Sequence, residues 1–144
     1  MVKARRRARA VALQTLFEVD VAAHGPSLVL KQRLADCELD QENAQFAGHL
    51  VKGVLENLSQ IDPTIAEIAP EWPLDQMSPI DRNILRIAIF EMTFDPDIPI
   101  KVAINEAVEL AKLFGSESSR RFVNGALGTL ASRQVSKETQ SEGK

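Results

Sequence analysis

The chain has 144 residues, of which 44% are hydrophobic, with one cysteine and two histidines. This length and composition predict one compact domain with an apolar core, and they exclude an internal disulfide and a metal site built from Cys and His at ordinary spacing. No apolar run approaches the roughly 20 residues of a membrane span, and no signal peptide is indicated, so we expect a cytoplasmic protein that needs no cofactor.

The net charge of −3 conceals a basic N-terminus. Positive residues dominate the first two helical turns, whereas the remainder of the chain is acidic; they are Lys3, Arg5, Arg6, Arg7 and Arg9. Such a run is typical of a segment that binds a polyanion, although short basic termini also occur as solvated tails. Charge alone therefore leaves nucleic-acid binding and a solvated terminus both open.

Three helices are predicted in the N-terminal part of the chain. Apolar residues at helical spacing indicate one long helix over about residues 3–23, with the arginines at its start. A weaker pattern covers about residues 27–36, and a stronger one, with apolar residues at intervals of four, runs over 40–58. Gly53 lies inside this third helix, which suggests that another helix crosses closely there.

The middle of the chain contains a second start signal for a helix. Asp62 followed by Pro63 is typical of an N-cap and a first helical position, and the short helix that it predicts ends before Trp72. This tryptophan is the only one in the chain. We expect it to be a packing anchor between two halves of the fold rather than a platform for base stacking.

The next predicted helix is the most apolar in the chain. Ser78 and Pro79 repeat the start signal, and residues 80–93 are apolar on most sides, which predicts a central, buried helix. Its charged residues should then lie at its edges, and internal pairing is the better interpretation of Arg86.

Two further helices are predicted on either side of Gly115. The first covers residues 100–114 and ends at this glycine, which a left-handed helix terminus would favour. The second is expected to start near Ser116 as its N-cap. In it, Gly125 and Gly128 share a stripe where a neighbouring helix backbone or a ligand could approach closely.

These patterns predict an all-α protein of about seven helices in two small packed bundles divided near residue 60. We expect one domain over residues 1–134, with subdomains of about 3–60 and 61–133, followed by a disordered polar tail at 135–144. The nearest group to an acid cluster, Asn105, Glu106 and Glu109, is more typical of ion pairs than of catalysis. No nucleophile with a neighbouring base is apparent, so no enzymatic activity is predicted.

Several strings in this sequence resemble the NusB family of transcription antitermination factors. The resemblance covers most of the chain from about Arg5 to Leu130. It rests on RRAR at residues 6–9, ALQ at 12–14, Trp72, DR at 81–82 with ILR at 84–86, DIP at 97–99, KVAINEAVELAK at 101–112, FG at 114–115 and FVNG at 122–125.

The resemblance implies a non-enzymatic RNA-binding protein with two roughly perpendicular three-helix-type bundles. Members of the family pair with NusE, a small-subunit ribosomal protein, and the pair binds boxA-type single-stranded RNA in RNA polymerase antitermination complexes on ribosomal RNA operons. These partners are therefore expected for this chain, which we do not expect to bind a membrane.

The resemblance also indicates candidate site residues. It places Lys3, Arg5, Arg6, Arg7, Arg9, Phe122 and Asn124 on an RNA surface, to which the neighbouring Arg120 and Arg121 would add charge beside an aromatic ring. It implies that Phe17 and Asp81 face NusE. Phe122 could instead belong to the core, as phenylalanine usually does.

Two alternatives remain open from the sequence. One is a helical RNA-binding module related to the N-terminal domain of ribosomal RNA cytosine methyltransferases. The other is a homodimeric helical scaffold without affinity for RNA. The sequence also leaves open whether the free protein is a monomer or a homodimer.

Overall fold

The computed structural model describes residues 2–142, with side-chain surroundings described for residues 4–134. Within this part the chain forms helices and no strand, which confirms the prediction of an all-α fold with about seven helices. The α-helices are α1 (Val2–Ala22), α2 (Pro26–Ala35), α3 (Gln41–Glu56), α4 (Leu58–Ile68), α5 (Pro79–Phe94), α6 (Ile100–Phe114) and α7 (Ser119–Glu142), and a short 3-10 helix covers Leu74–Gln76.

Helix α5 lies at the centre of the fold, as its sequence predicts. The Ser78 side chain accepts a hydrogen bond from the backbone N–H of Asp81 at 3.5 Å, and Pro79 occupies the first turn. Residues 83–92 of this helix are all buried. The helix packs against α1, α3, α4, α6 and α7, and a single apolar core contains residues from all of these helices.

The three N-terminal helices, α1, α2 and α3, pack against one another. Asp40 caps α3, because its carboxylate accepts a hydrogen bond from the Asn43 N–H at 2.8 Å. Ala8, Val11 and Ala47 form a small separate cluster where α1 packs on α3. The predicted division near residue 60 falls within α4, a helix that packs against α5 and α7.

The close crossing predicted at Gly53 is confirmed. A Cβ atom at this position would overlap the ring of Phe90 on α5. Gly115 is needed for a similar reason rather than for its conformational freedom. Its backbone is extended (φ −90°, ψ −174°), and a Cβ there would lie 2.5 Å from the Ser119 Oγ. The predicted left-handed terminus at Gly115 is therefore wrong.

Helix α4 begins earlier than its start signal indicates. It starts at Leu58 directly after α3, and Pro63 lies inside it. Ile61, Ile65 and Ile68 are buried at helical spacing, and this burial outweighs the one backbone hydrogen bond that an interior proline removes. Instead of capping a helix, Asp62 forms an ion pair with Arg86.

Trp72 is not the packing anchor that its residue type predicts. Its residue surface is 52% exposed. In the segment between α4 and α5, the residues that belong to the main core are Ala69 and Met77, which are 4% and 5% exposed. The indole is therefore available on the surface.

Helix α7 differs from its prediction at both ends. It begins at Ser119 rather than near Ser116, and it continues to Glu142 through most of the segment predicted as a disordered tail. The Gln, Lys and Glu residues of that segment have good helix propensity, and extending an existing helix is easier than starting one. Gly143 and Lys144 lie outside the described residues.

The stripe of Gly125 and Gly128 on α7 faces open space rather than a neighbouring helix. A Cβ at either position would meet nothing within 4 Å.

The glycines of α3 and α7 should respond oppositely to alanine. Gly128→Ala should raise the free energy of unfolding by about 0.5–1 kcal/mol, because the helix gains propensity and nothing is displaced. Gly53→Ala should lower it by about 1–3 kcal/mol, because the Phe90 ring must move. Urea unfolding measures the free energy of unfolding of both variants, and each variant is the control for the other. Equal changes in that free energy would contradict the packing described.

Candidate nucleic-acid interface

The N-terminal basic segment, residues 3–9, begins α1, and part of it is turned into the protein. Arg9 donates to Glu91 of α5 through Nε at 3.0 Å and Nη2 at 2.7 Å. The two side chains are 6% and 1% exposed. Burial raises the pKa of the Glu91 carboxyl, and the hydrogen bonds from Arg9 oppose that effect.

The buried pair corrects two expectations. Arg9 is predicted to bind RNA, but its side chain is only 6% exposed and is paired with Glu91, which leaves little of its guanidinium for a phosphate. Glu91 is expected at an edge of α5, but it is buried inside the protein, where it pairs with Arg9 of α1.

Arg6 forms the next contact between α1 and the C-terminal helices. Its Nε and Nη2 donate to the two carboxylate oxygens of Glu106 on α6, at 3.1 and 2.9 Å. Glu106 also lies 3.8 Å from Arg9. Of the acids predicted as ion-pair partners on α6, Glu106 therefore fixes the start of α1, and the charge of Arg6 is largely balanced within the protein.

Arg5 and Arg7 are more accessible. The Arg5 guanidinium lies 4.2 Å from the centre of the Phe46 ring, with Glu42 at 3.5 Å. Arg7 is exposed, and its Nη2 donates to the Glu38 carbonyl at 2.7 Å. Lys3 lies in the first turn of α1, and its side chain is outside the described residues.

A basic pocket lies where α6 passes into α7. The Ser116 N–H donates to the buried Ser119 hydroxyl at 2.9 Å, which shapes this turn. Arg120 and Arg121 are exposed and form no ion pair with any residue whose side chain the structure describes. Three cations and one acid line the basic pocket, and its lining residues are Lys112, Gly115, Ser116, Glu117, Ser118, Arg120 and Arg121.

Phe122 lies between core and solvent, which decides the question that its sequence leaves open. It packs partly against the main core and is half-buried, and Asn124 on the same helix is exposed. Phe122 also lines a second, aromatic pocket with Trp72, Met77 and Asp81.

Helix α6 connects the two basic regions. Glu106, the partner of Arg6, and Lys112, in the basic pocket, are separated by about 9 Å along the helix, at about 1.5 Å per residue. Glu109 lies between them and pairs with Lys112 at 3.3 Å.

The predicted partner residues, Phe17 and Asp81, lie on two helices that are tied together. Phe17 is half-buried on α1, and Asp81 is in the first turn of α5. Asp20 of α1 accepts hydrogen bonds from Arg82 at 2.8 Å and from Asn83 at 3.0 Å, both on α5. Sequence reasoning missed Asp20, because nothing in the local pattern indicates which residue across the fold it meets.

Arg86 is the third α5 residue in this network. It lies 3.4 Å from Asp20 and 2.9 Å from Asp62, so its predicted internal pairing is confirmed.

Comparison with known proteins identifies the class of helical protein to which this chain belongs. The model of the NusB family matches residues 6–132. The chain is 45% identical over 142 residues to the transcription antitermination protein NusB of Dehalococcoides mccartyi (strain ATCC BAA-2266 / KCTC 15142 / 195), with 99% of each chain covered. The chain therefore belongs to the NusB family, whose relatives are named as antitermination proteins and not as enzymes.

Solved structures agree with this assignment. NusB from T. maritima superposes with a TM-score of 0.82 at 38% identity, covering 89% of this chain and 90% of that one. A complex of antitermination factors NusB and NusE with double-stranded RNA contains a chain of the same fold, with a TM-score of 0.80, 24% identity and coverage of 90% and 96%.

Two further features bear on the class of site. None of the helices in the described part is both long and apolar enough to cross a membrane. Among the described residues, no three His, Cys, Asp or Glu side chains are grouped so that they could hold a metal ion.

Removing one member of the buried ion pair should destabilise the protein strongly. Glu91→Ala should lower the free energy of unfolding by about 3–5 kcal/mol, because it leaves the Arg9 guanidinium buried without its main partner. The double variant Arg9→Met with Glu91→Leu should stay close to the parent. Urea unfolding measures both, with Glu42→Ala, at an exposed acid of α3, as the control. A double variant as unstable as Glu91→Ala would contradict this account.

Proposed function

We propose that this protein is a transcription antitermination factor that binds boxA-type single-stranded RNA of ribosomal RNA operon transcripts together with NusE, within an RNA polymerase antitermination complex. The observation that carries the RNA claim is the basic pocket beside Phe122. Unpaired cations next to a partly exposed aromatic ring suit RNA, since phosphates bind the cations and an unstacked base binds the ring.

The N-terminal basic segment contributes unequally to the proposed surface. Arg7 is exposed and Arg5 partly so, and both can meet phosphates. Arg6 contributes less, because Glu106 balances its charge. Arg9 acts from inside, by holding the first turns of α1 against α5.

Helix α6 contacts the first region and carries part of the second. Arg6 pairs with Glu106 in the middle of α6, and Lys112 lies in its last turn. A single strand of RNA that binds both regions would therefore pass across this helix. Glu109 lies between them and would discourage binding there, so the contacts should be concentrated on either side of it.

The NusE proposal rests on a different surface. Phe17 and Asp81 lie on α1 and α5, which Asp20 and Arg82 join at 2.7 Å. A partly exposed aromatic side chain on α1 and a partly exposed acid on α5 suit a protein partner that offers apolar and basic side chains. The solved complex of NusB and NusE with RNA supports the pairing, although its RNA is double-stranded.

RNA affinity should depend on salt through the exposed arginines. Log affinity falls with log salt, and each phosphate contact on a single strand adds about 0.7 to the steepness of that fall. The triple variant Arg7→Ala, Arg120→Ala, Arg121→Ala should therefore make the slope shallower by about 2. Fluorescence anisotropy of a labelled boxA-like RNA measures it, with a duplex of the same sequence for comparison. Lys52→Ala, an exposed lysine of α3, is the control, and an unchanged slope in the triple variant would refute the proposed surface.

Complex formation with NusE should be one-to-one. Light scattering of an equimolar mixture at low salt should give the summed mass, and Asp81→Lys should weaken the complex by reversing a charge at the proposed contact. Glu71→Lys, at an exposed acid outside the two helices, is the matched control. No complex at low salt, with a doubled mass for the chain alone, would favour the homodimeric scaffold instead.

A further inference from the structure

Phe46 of α3 contacts the guanidinium groups of two arginines of α1. The guanidinium carbon of Arg5 lies 4.2 Å from the centre of the Phe46 ring, and that of Arg9 lies 5.1 Å from it. Both distances are within the roughly 6 Å over which a cation is attracted to the face of an aromatic ring. One of the two arginine side chains is buried, at 6% exposure, and the other is partly exposed, at 39%.

The Phe46 ring is held in place by the residues around it. It is half-buried, and it packs partly against the main core and partly against the small cluster where α1 packs on α3. Arg9 is fixed in turn by its hydrogen bonds to Glu91. Packing alone would accept another apolar side chain of similar volume, so it does not account for an aromatic ring that two arginines meet.

The Arg5 guanidinium is divided between this ring and solvent. Its Nη1 atom is covered and has no hydrogen-bond acceptor among the described residues, and the face of an aromatic ring is a weak partner for such an N–H group. Its Nη2 atom lies 3.5 Å from Glu42, whose side chain is 80% exposed. An ion pair this exposed is weak and is screened by salt. A phosphate can therefore replace Glu42 while the guanidinium stays on the ring.

We propose that Phe46 is a positioning residue for RNA binding, whose ring holds Arg5 so that the exposed part of the guanidinium meets a phosphate of the bound strand. A free arginine side chain loses rotamer freedom when it binds a phosphate, and an arginine already held on a ring loses less. Phe46 acts through Arg5 and does not itself contact RNA. This inference rests on the proposed RNA-binding function and extends the machinery of that surface to α3.

Replacing the ring by an aliphatic side chain tests this role. Phe46→Leu keeps an apolar residue but removes the aromatic face, so it should weaken binding of a labelled boxA-like RNA about three- to fivefold, the effect of one cation–π contact. Fluorescence anisotropy measures the affinity across a salt series. The salt slope should become shallower by up to about 0.7, the share of one phosphate contact on a single strand. Phe46→Tyr, which keeps the aromatic face, should restore most of the affinity and the slope.

A double-mutant cycle separates positioning from packing. Arg5→Ala should cost about three- to fivefold less affinity in the Phe46→Leu background than in the parent, because the two residues act as a unit. Phe94→Leu is the matched control, since Phe94 is also half-buried against the main core and no described arginine lies over its ring. It should change neither affinity nor slope. Circular dichroism and urea unfolding confirm that each variant is folded.

The contact itself has a readout that needs no RNA. The ring current of Phe46 should move the Arg5 side-chain proton resonances upfield in the free protein, and Phe46→Leu should abolish that shift. Arg5 resonances that are the same in the parent and in Phe46→Leu would contradict the contact and the role built on it.

The failures of the two proposals are distinguishable. Additive losses in the cycle, or equal losses for Phe46→Leu and Phe94→Leu, would overturn the positioning role and leave the RNA-binding proposal standing. A gain in affinity for Phe46→Leu would also overturn it, because the ring would then withhold Arg5 from RNA. No RNA binding by the parent at low salt, with or without NusE, would refute both.

Discussion

The start of α1 depends on one buried ion pair. Arg9 and Glu91 bind each other inside the protein, and Arg6 with Glu106 extends the contact to α6. Burying two charges costs about as much as their attraction returns, so this pair does more to fix the position of α1 than to stabilise the fold. The first turns of the helix are thereby held as an ordered surface rather than as a solvated tail, and Arg7 is directed outward as a result.

The same division between inward and outward charge recurs at the second basic region. On α6, Glu109 takes up Lys112, whereas Arg120 and Arg121 on α7 have no described ion-pair partner. Positive charge on an acidic protein is thus left available at two places, the start of α1 and the turn between α6 and α7. The proposed RNA path follows from this distribution, because acids elsewhere on the surface repel a polyanion.

Sequence predicts much of the fold, because most helices have a local apolar period and two of them, α3 and α5, begin at a side-chain cap. Asp40, Ser78 and the buried run of α5 were all readable from local pattern. The errors have a common cause, which is that local signals do not report what lies across the fold. The proline inside α4 is tolerated because of burial beyond it, and Trp72 is exposed because smaller neighbours already close the core.

The candidate site shows the same limit. The sequence identifies the basic N-terminal segment and the FVNG segment, but it cannot show that Arg9 turns inward or that Trp72 and Phe122 line the same pocket. The most direct measurement is a map of amide chemical-shift changes on adding boxA-like single-stranded RNA. The account predicts changes at residues 5–7 and at 112–124. Changes confined to α2 and the exposed face of α3 would contradict it.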